Sequence, residues 1–222
     1  MALEPTEERY LPALKFRWLT PLYDPVLRWA FREQAMKSRL TAEVALKPGE
    51  RALDLGCGTG TLTLMLKASE PEAHVVGFDG DPAILERARG KAARIGAEIT
   101  FQEGMAYELP YADGSFDVVV TSLMLHHLSQ ERKVRALREV SRVLRPSGRL
   151  HVADFGRPRT RLMRSLAKVS EILEETSDGV EGRLPEMFHA AGLRDVEETA
   201  AFKTPLGMIS LFRARKPEGG NI

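Results

Sequence analysis

The segment Ala52-Leu53-Asp54-Leu55-Gly56-Cys57-Gly58-Thr59-Gly60 decides the fold of this 222-residue chain. A short buried strand, Ala52–Leu55, runs into glycines at alternate positions, and Leu62–Ala68 then reads as a helix. Glycines there remove Cβ atoms, so the backbone can turn tightly and let a ligand press against it. The helix start behind the loop offers free N–H groups. Nineteen residues after Gly60, the strand-like run Val75-Val76-Gly77-Phe78 ends in Asp79, an acid placed to accept both hydroxyls of a ribose. The competing reading is a glycine-rich turn of purely structural use, and the presence of Asp54 and Asp79 together weighs against it.

A dinucleotide is a poor fit to this loop. The G-x-G-x-x-G pattern needs a third glycine, and in either frame Thr61 or Thr63 stands in its place. A phosphate loop needs Gly-Lys-Ser/Thr, which is absent. Asp54, at the strand end, would repel a pyrophosphate and suits a ligand with a cationic amino-acid end.

Working outward, strand and helix alternate. Ile99–Gln102 and Val118–Thr121 read as strands, Ala83–Ile95 as a helix opened by Asp81-Pro82, and Gln130–Leu144 as a helix stopped by Pro146-Ser147-Gly148. Arg149–Phe155 follows as a further strand. Such alternation implies βαβ units and a parallel sheet covered on both faces. Leu184–Ala191 reads as a helix ended by Gly192. The runs Asp195–Lys203 and Met208–Arg215 then meet across Thr204-Pro205-Leu206-Gly207, a connection too short for parallel strands, so the sheet is expected to end in a reversed edge strand. Before the loop, Leu11, Leu14, Trp18, Leu22, Val26 and Trp29 recur at helical steps broken by prolines.

Composition sets the outer bounds. Against 32 Lys+Arg stand 31 Asp+Glu, and 43% of residues are apolar, as in a soluble globular protein. The +1 charge speaks against a general basic nucleic-acid surface. No run of 18 apolar residues occurs, and Met1 to Ala13 shows no apolar core of a signal peptide, so a cytoplasmic location is expected. The lone cysteine, Cys57, leaves no disulfide framework and no multi-thiolate metal site, and no metal is expected.

Four segments together resemble class I S-adenosylmethionine-dependent methyltransferases: the Ala52–Gly60 loop, Asp79, Leu109-Pro110-Tyr111-Ala112-Asp113-Gly114-Ser115-Phe116-Asp117, and Leu144-Arg145-Pro146-Ser147-Gly148-Arg149-Leu150. The resemblance covers roughly residues 40–155 and is strongest to the small-molecule branch that includes ubiquinone/menaquinone C-methyltransferases. It implies an α/β fold, a Rossmann-like three-layer sandwich with a seven-stranded, mostly parallel sheet and an antiparallel last strand, preceded by an N-terminal helical lid. The expected organisation is a lid over 1–48, a cofactor-binding core over 49–155, a helical insert over 156–183, and a last helix with antiparallel edge strands over 184–222.

By the same resemblance, Asp54, Gly56, Cys57, Gly58, Thr59 and Gly60 would cradle the methionine part of S-adenosyl-L-methionine, and Asp79 its ribose. Gly80, Met105, Ala106 and Ser122 complete the expected cofactor set. Two of these depart from the family pattern: Met105 stands where an acid usually accepts the adenine amino group, and Gly80 where a bulky apolar residue usually packs. Adenine reading then falls to backbone groups, apolar packing or Glu103.

The loop from Ser122 to His127 leaves the fourth strand at its carboxyl end, where ligands of doubly wound sheets sit. His126 and His127 are candidates for a base or for orienting an acceptor; alternatively one caps the next helix or packs under the loop. His74, His151 and His189 read as structural or surface residues. Six of the 15 aromatics fall between Tyr10 and Phe31. These six, Tyr10, Trp18 and Tyr23 among them, form a candidate lid suited to an apolar or planar acceptor. Within the insert, five basic residues from Arg157 to Lys168 precede five acidic ones from Glu171 to Glu181, read as a solvated helix or, less simply, as a site for an acidic substrate or a membrane headgroup. Arg135, Arg138, Arg142 and Arg145 read as a solvated face.

The function expected is methyl transfer from S-adenosyl-L-methionine, giving S-adenosyl-L-homocysteine, to a small acceptor. A quinone-precursor C-methyltransferase and a cofactor-binding module without turnover are the alternatives. No nucleic-acid partner and no membrane span are expected; peripheral membrane contact and any oligomeric state are left open.

Overall fold

The computed structural model describes residues 33–157, 182–204 and 207–218. In chain order these form α1 (Glu33–Val44), β1 (Arg51–Leu55), α2 (Thr61–Ser69), β2 (His74–Asp79), α3 (Pro82–Arg94), β3 (Thr100–Glu103), β4 (Phe116–Ser122), a 3₁₀ turn (Leu125–His127), α4 (Gln130–Val143), β5 (Leu144–Gly156), α5 (Leu184–Ala190), β6 (Arg194–Thr204) and β7 (Gly207–Arg215). The seven strands make one sheet in the order β3-β2-β1-β4-β5-β7-β6.

Strand order reverses between β1 and β4. The sheet is entered at β1, steps outward to β2 and β3, and returns to place β4 on the other side of β1 in parallel register, Leu53 against both Val76 and Val119. This switch point lies where the glycine loop leaves β1, and it opens the crevice in which ligands of such sheets bind.

Alternation of side chains along each strand builds two cores. Leu53, Leu55, Val119, Leu150 and Val152 join α4 and α5 on one face, with Phe116, Leu137, Val140 and Phe188. On the other, Ala52, Val118, Val120, Ala153 and Phe155 pack under α1 and α2 against Met36, Leu40, Leu62 and Leu66. A sheet covered on both faces needs strands that are apolar throughout, which is why Val118–Val120 reads as a continuous run. Asp81 caps α3 as expected: its side chain accepts the N–H groups of Ala83 at 2.8 Å and Ile84 at 3.3 Å, with Pro82 in the first turn.

Three expectations are corrected. The reversed strand is β7, but it does not form the edge: it lies between β5 and β6, antiparallel to both. The apolar residues Ile209, Leu211, Phe212 and Ala214 are buried in β7, whereas Arg194, Asp195, Glu197, Glu198 and Lys203 leave β6 with an exposed, charged border. Charges and two register shifts on β6 fit an edge that must not pair further.

The helix α4 ends at Val143, and β5 starts at once at Leu144, five residues ahead of expectation. Pro146-Ser147-Gly148 does not interrupt the strand because Ser147 and Gly148 bond the backbone of Lys216, at 3.0 and 2.9 Å.

Arg142 and Arg145 are tied into the fold. The Arg142 guanidinium donates to the carbonyls of Leu109 and Tyr111 and to the carboxylates of Glu139 and Asp113. Arg145 pairs with Asp117, whose other oxygen accepts the Arg51 N–H at 2.8 Å. The Leu109–Asp117 segment is thus a strap that these arginines hold against the sheet.

The lid candidates Tyr10, Trp18 and Tyr23 and the insert residues 158–181 lie outside the described residues.

Candidate active site

The glycine loop turns back over the end of β2. The N–H groups of Gly56 and Cys57 both donate to the Phe78 carbonyl, at 2.8 and 3.0 Å, and Gly60 N–H closes the loop on the Cys57 carbonyl. Gly56 has a φ of +72°, and a Cβ there would collide with the Met124 side chain. Gly58 has a φ of +54° but faces open space. One glycine is needed for packing against the β4 loop; the other leaves the surface of the turn bare for a ligand.

Asp79, at the end of β2, belongs to this loop as much as to its strand. One oxygen of its carboxylate accepts the Gly58 N–H at 2.8 Å, and the other accepts the Asp81 N–H at 3.0 Å. Burial raises its pKa, opposed by those two hydrogen bonds. The carboxylate stays partly accessible, aligned and with lone pairs to spare.

Asp54 occupies a different place from the one expected of a direct ligand group. It is buried under the loop and accepts the Thr63 hydroxyl at 2.6 Å, tying the end of β1 to the first turn of α2. Burial pushes its pKa up to about 6, against the pull of Thr63 and the charge of Lys37. Thr59 takes a hydrogen bond at 2.8 Å from Lys91 of α3, which also reaches Thr61 at 3.4 Å. Cys57 is buried inside the loop, and burial holds its thiol far above the usual range, so it is neutral and inert.

Gly80, Met105 and Ala106 lie together at the ends of β2 and β3, each partly exposed, with the Gly104 N–H bonded to the Asp79 carbonyl at 3.0 Å. Met105 brings no charged oxygen to this corner. Ser122 ends β4 beside Ala153 of β5, and its hydroxyl is buried with no hydrogen-bond partner. An orphaned polar atom at the carboxyl end of a central strand is what a bound polar ligand would complete.

Beyond Ser122 the histidines separate. His126 is buried at 6% exposure, with Nδ1 2.8 Å from Oδ1 of Asp154 on β5. Asp154 is fixed in turn: its oxygens accept the N–H groups of Leu125 at 2.9 Å and Phe155 at 2.8 Å. Burial alone would raise the Asp154 pKa, but the His126 charge and hydrogen bond and the Phe155 N–H outweigh it, and the pKa falls. His127 is exposed, its ring 4.0 Å from that of His126. His151 is buried in β5 with neither ring nitrogen partnered, and burial and Arg149 lower its pKa to about 4. His74 is exposed, and His189 lies 3.3 Å from the Leu193 carbonyl.

Sequence reading missed Asp154 and Lys91. Asp154 carried a signal, an acid inside the otherwise apolar end of β5 and so toward the same carboxyl ends of the strands as Asp54 and Asp79. Lys91 carried none, because its partner is 32 residues away across a helix interface.

Fold and site together define a Rossmann-like α/β protein whose glycine loop and Asp79 meet at the switch point of the sheet. The model of the Methyltransferase domain family matches residues 52–148. A demethylmenaquinone methyltransferase of Thermus thermophilus is 41% identical over 145 residues, 64% of this chain and 65% of that protein. The demethylmenaquinone methyltransferase of Clavibacter sepedonicus is 33% identical over 208 residues, 84% of this chain and 82% of that protein. Among solved structures, the [4+2]-cyclase SpnF superposes with a TM-score of 0.70 at 24% identity, covering 90% of this chain and 93% of that one. The chain belongs to the class I S-adenosylmethionine-dependent methyltransferases. The match spans slightly less than two thirds of the Thermus relative's length.

Proposed function

We propose that this chain transfers a methyl group from S-adenosyl-L-methionine to a small planar acceptor, a reduced naphthoquinone ring being the class to which the quinone-methylating relatives point. The observation that carries the reading is the Asp79 carboxylate held on the Gly58 N–H beside a loop face that is open. The residues fit the cofactor: bare loop backbone, a ribose-accepting acid, and the unpartnered Ser122 hydroxyl.

When bound, S-adenosyl-L-methionine supplies a methyl group activated by a positive sulfur. The chain's own part is alignment: the loop and Asp79 fix one reactant, and the β4 loop from Ser122 to His127 presents the other. Orientation of this kind contributes about 7–11 kcal/mol when the geometry is well set. We assign to His126 the role of accepting a proton from an acceptor hydroxyl; the contact of its Nδ1 with Asp154, which fixes the ring, supports this. A general base adds about 10²–10⁴-fold. His127, exposed beside it, serves acceptor orientation.

A second reading is favoured by Gly80 and Met105, which leave the adenine corner without a side-chain carboxylate: a module that binds the cofactor without transferring its methyl group. Calorimetric titration of S-adenosylhomocysteine into wild type and Asp79→Ala tests the site. Binding to wild type and its loss in the variant support it; no heat in either protein would sink both readings.

A further inference from the structure

Between the glycine loop and the histidine turn lies Met124, a side chain given no part in the chemistry so far. Gly56 turns with a φ of +72°, and the space that a Cβ would fill there is taken by Met124, whose Cγ and Cβ come within 2.3 and 2.6 Å of that position. The notch at Gly56 is thus closed by a thioether side chain from another loop. The notch itself is fastened to β2, because the Gly56 and Cys57 N–H groups share the Phe78 carbonyl.

The backbone of Met124 opens the 3₁₀ turn, and its carbonyl accepts the His127 N–H at 3.0 Å. A shift of Met124 is therefore a shift of both histidines. From β5 the turn is held by the Leu123 N–H on the Ala153 carbonyl at 2.8 Å and by the Leu125 N–H on Asp154 at 2.9 Å. Toward the glycine loop it is held by the Met124 side chain in the notch.

Leu123 explains how that side chain gets there. Val118 and Val120 face the core under α1 and α2, and Val119 faces the core under α4 and α5. Continued alternation would send Leu123 to the second core and Met124 to the first. The opposite is found: Leu123 packs under α1 and α2, and Met124 against the core of α4 and α5. The exchange is made at Leu123, whose φ of +55° lies in the left-handed region that a Cβ disfavours. Such strain persists where its surroundings over-determine it, and it gathers at functional sites.

We propose that Met124 is a positioning residue: seated in the Gly56 notch, it fixes where the His126–His127 turn stands relative to the donor loop and carries donor binding to the two imidazoles. The proposal rests on the cofactor reading above and deepens it by naming the link between the donor loop and the acceptor loop.

The histidine rings read this link directly. Their C–H signals are followed by NMR in protein with isotope-labelled histidine, without and with S-adenosylhomocysteine, whose binding is measured separately by calorimetry. In wild type the ligand shifts the His126 and His127 signals. Met124→Ala, which removes Cγ and Sδ from the notch, still binds the ligand and loses the shifts. Met124→Leu, of similar volume, keeps them, and so does Val196→Ala, which trims the same core from β6. In methyl transfer, Met124→Ala lowers kcat about 10- to 100-fold and leaves the donor KM unchanged.

Shifts that persist in Met124→Ala, or a kcat equal to that of wild type, overturn the proposal. An equal loss of the shifts in Val196→Ala marks general packing, and loss of binding in Met124→Ala puts Met124 in the donor site itself; either result overturns it too. If Met124→Ala does not fold, Met124→Val carries the same comparison. Wild type that binds no S-adenosylhomocysteine brings down the cofactor reading, whereas binding that leaves both histidines unmoved brings down this proposal alone.

Discussion

Asp79 and Gly58, 21 residues apart, are joined by a 2.8 Å hydrogen bond from the glycine N–H to the aspartate carboxylate. The contact fixes the turn of the loop and the direction of the acid at once, so the two halves of the site are set by one bond. Replacing Asp79 by Ala removes a charged acceptor from the loop and from the proposed ribose site. Affinity for S-adenosylhomocysteine should fall by about 100-fold or more, measured by calorimetry. Asp79→Asn, which retains one acceptor oxygen, should fall less.

Gly56→Ala tests the packing of the loop. The residue has φ +72°, and its Cβ would strike Met124. Left-handed backbone and the collision together should cost about 2–4 kcal/mol, read from urea unfolding. Adding Met124→Ala removes the Cγ collision at 2.3 Å but keeps the Cβ one at 2.6 Å, so it should restore only part of the loss, and Met124→Gly more of the steric part.

Burial makes the charged form of Asp54 costly to the fold. Its pKa of about 6 in the folded protein lies above the unfolded value of 3.8, so the folded state binds the extra proton. Stability from this group is present below pH 4 and lost as pH rises through 6. Asp54→Asn should therefore stabilise the protein at pH 8 by about 2–3 kcal/mol, an effect that shrinks at pH 5. A gain equal at both pH values would contradict this.

Asp154 behaves in the opposite sense. Its pKa is lowered, so its contribution is present at neutral pH and lost as pH falls below the ordinary aspartate range. Asp154→Asn should cost about 2–4 kcal/mol at pH 7. It should also shift the His126 ring proton from Nδ1, a change visible in long-range nitrogen–proton NMR correlations. An unchanged tautomer would remove Asp154 from its orienting role.

Local sequence was sufficient for the parts of this site that depend on backbone. The Ala52–Gly60 loop, Asp79 and the alternating strands were legible because turn glycines, strand ends and apolar runs are written residue by residue. Register between distant strands is not written so: β7 could be assigned its reversed direction from a short connection, but its place inside β6 depended on which strand could bear the exposed charges. Side-chain partners were the least legible. Nothing near His126 in the sequence announces Asp154, 28 residues on, and the spacing of Arg142 along a helix gave no hint that it holds the Leu109 and Tyr111 carbonyls. Asp54 stood where the motif put it, yet its side chain turned inward to Thr63, because a carboxylate under the loop is better satisfied by the hydroxyl of α2 than left in an apolar core.

Transfer of a labelled methyl group tests the account at its centre. The protein is incubated anaerobically with methyl-labelled S-adenosyl-L-methionine and a reduced 2-substituted 1,4-naphthoquinone, and, in parallel, with fractionated cell extract, followed by mass spectrometry. The account predicts a labelled product one methylene heavier than its acceptor, lost in Asp79→Ala and strongly slowed in His126→Ala. Tight binding of S-adenosylhomocysteine with no labelled product from any acceptor would contradict it and leave a binding module in its place.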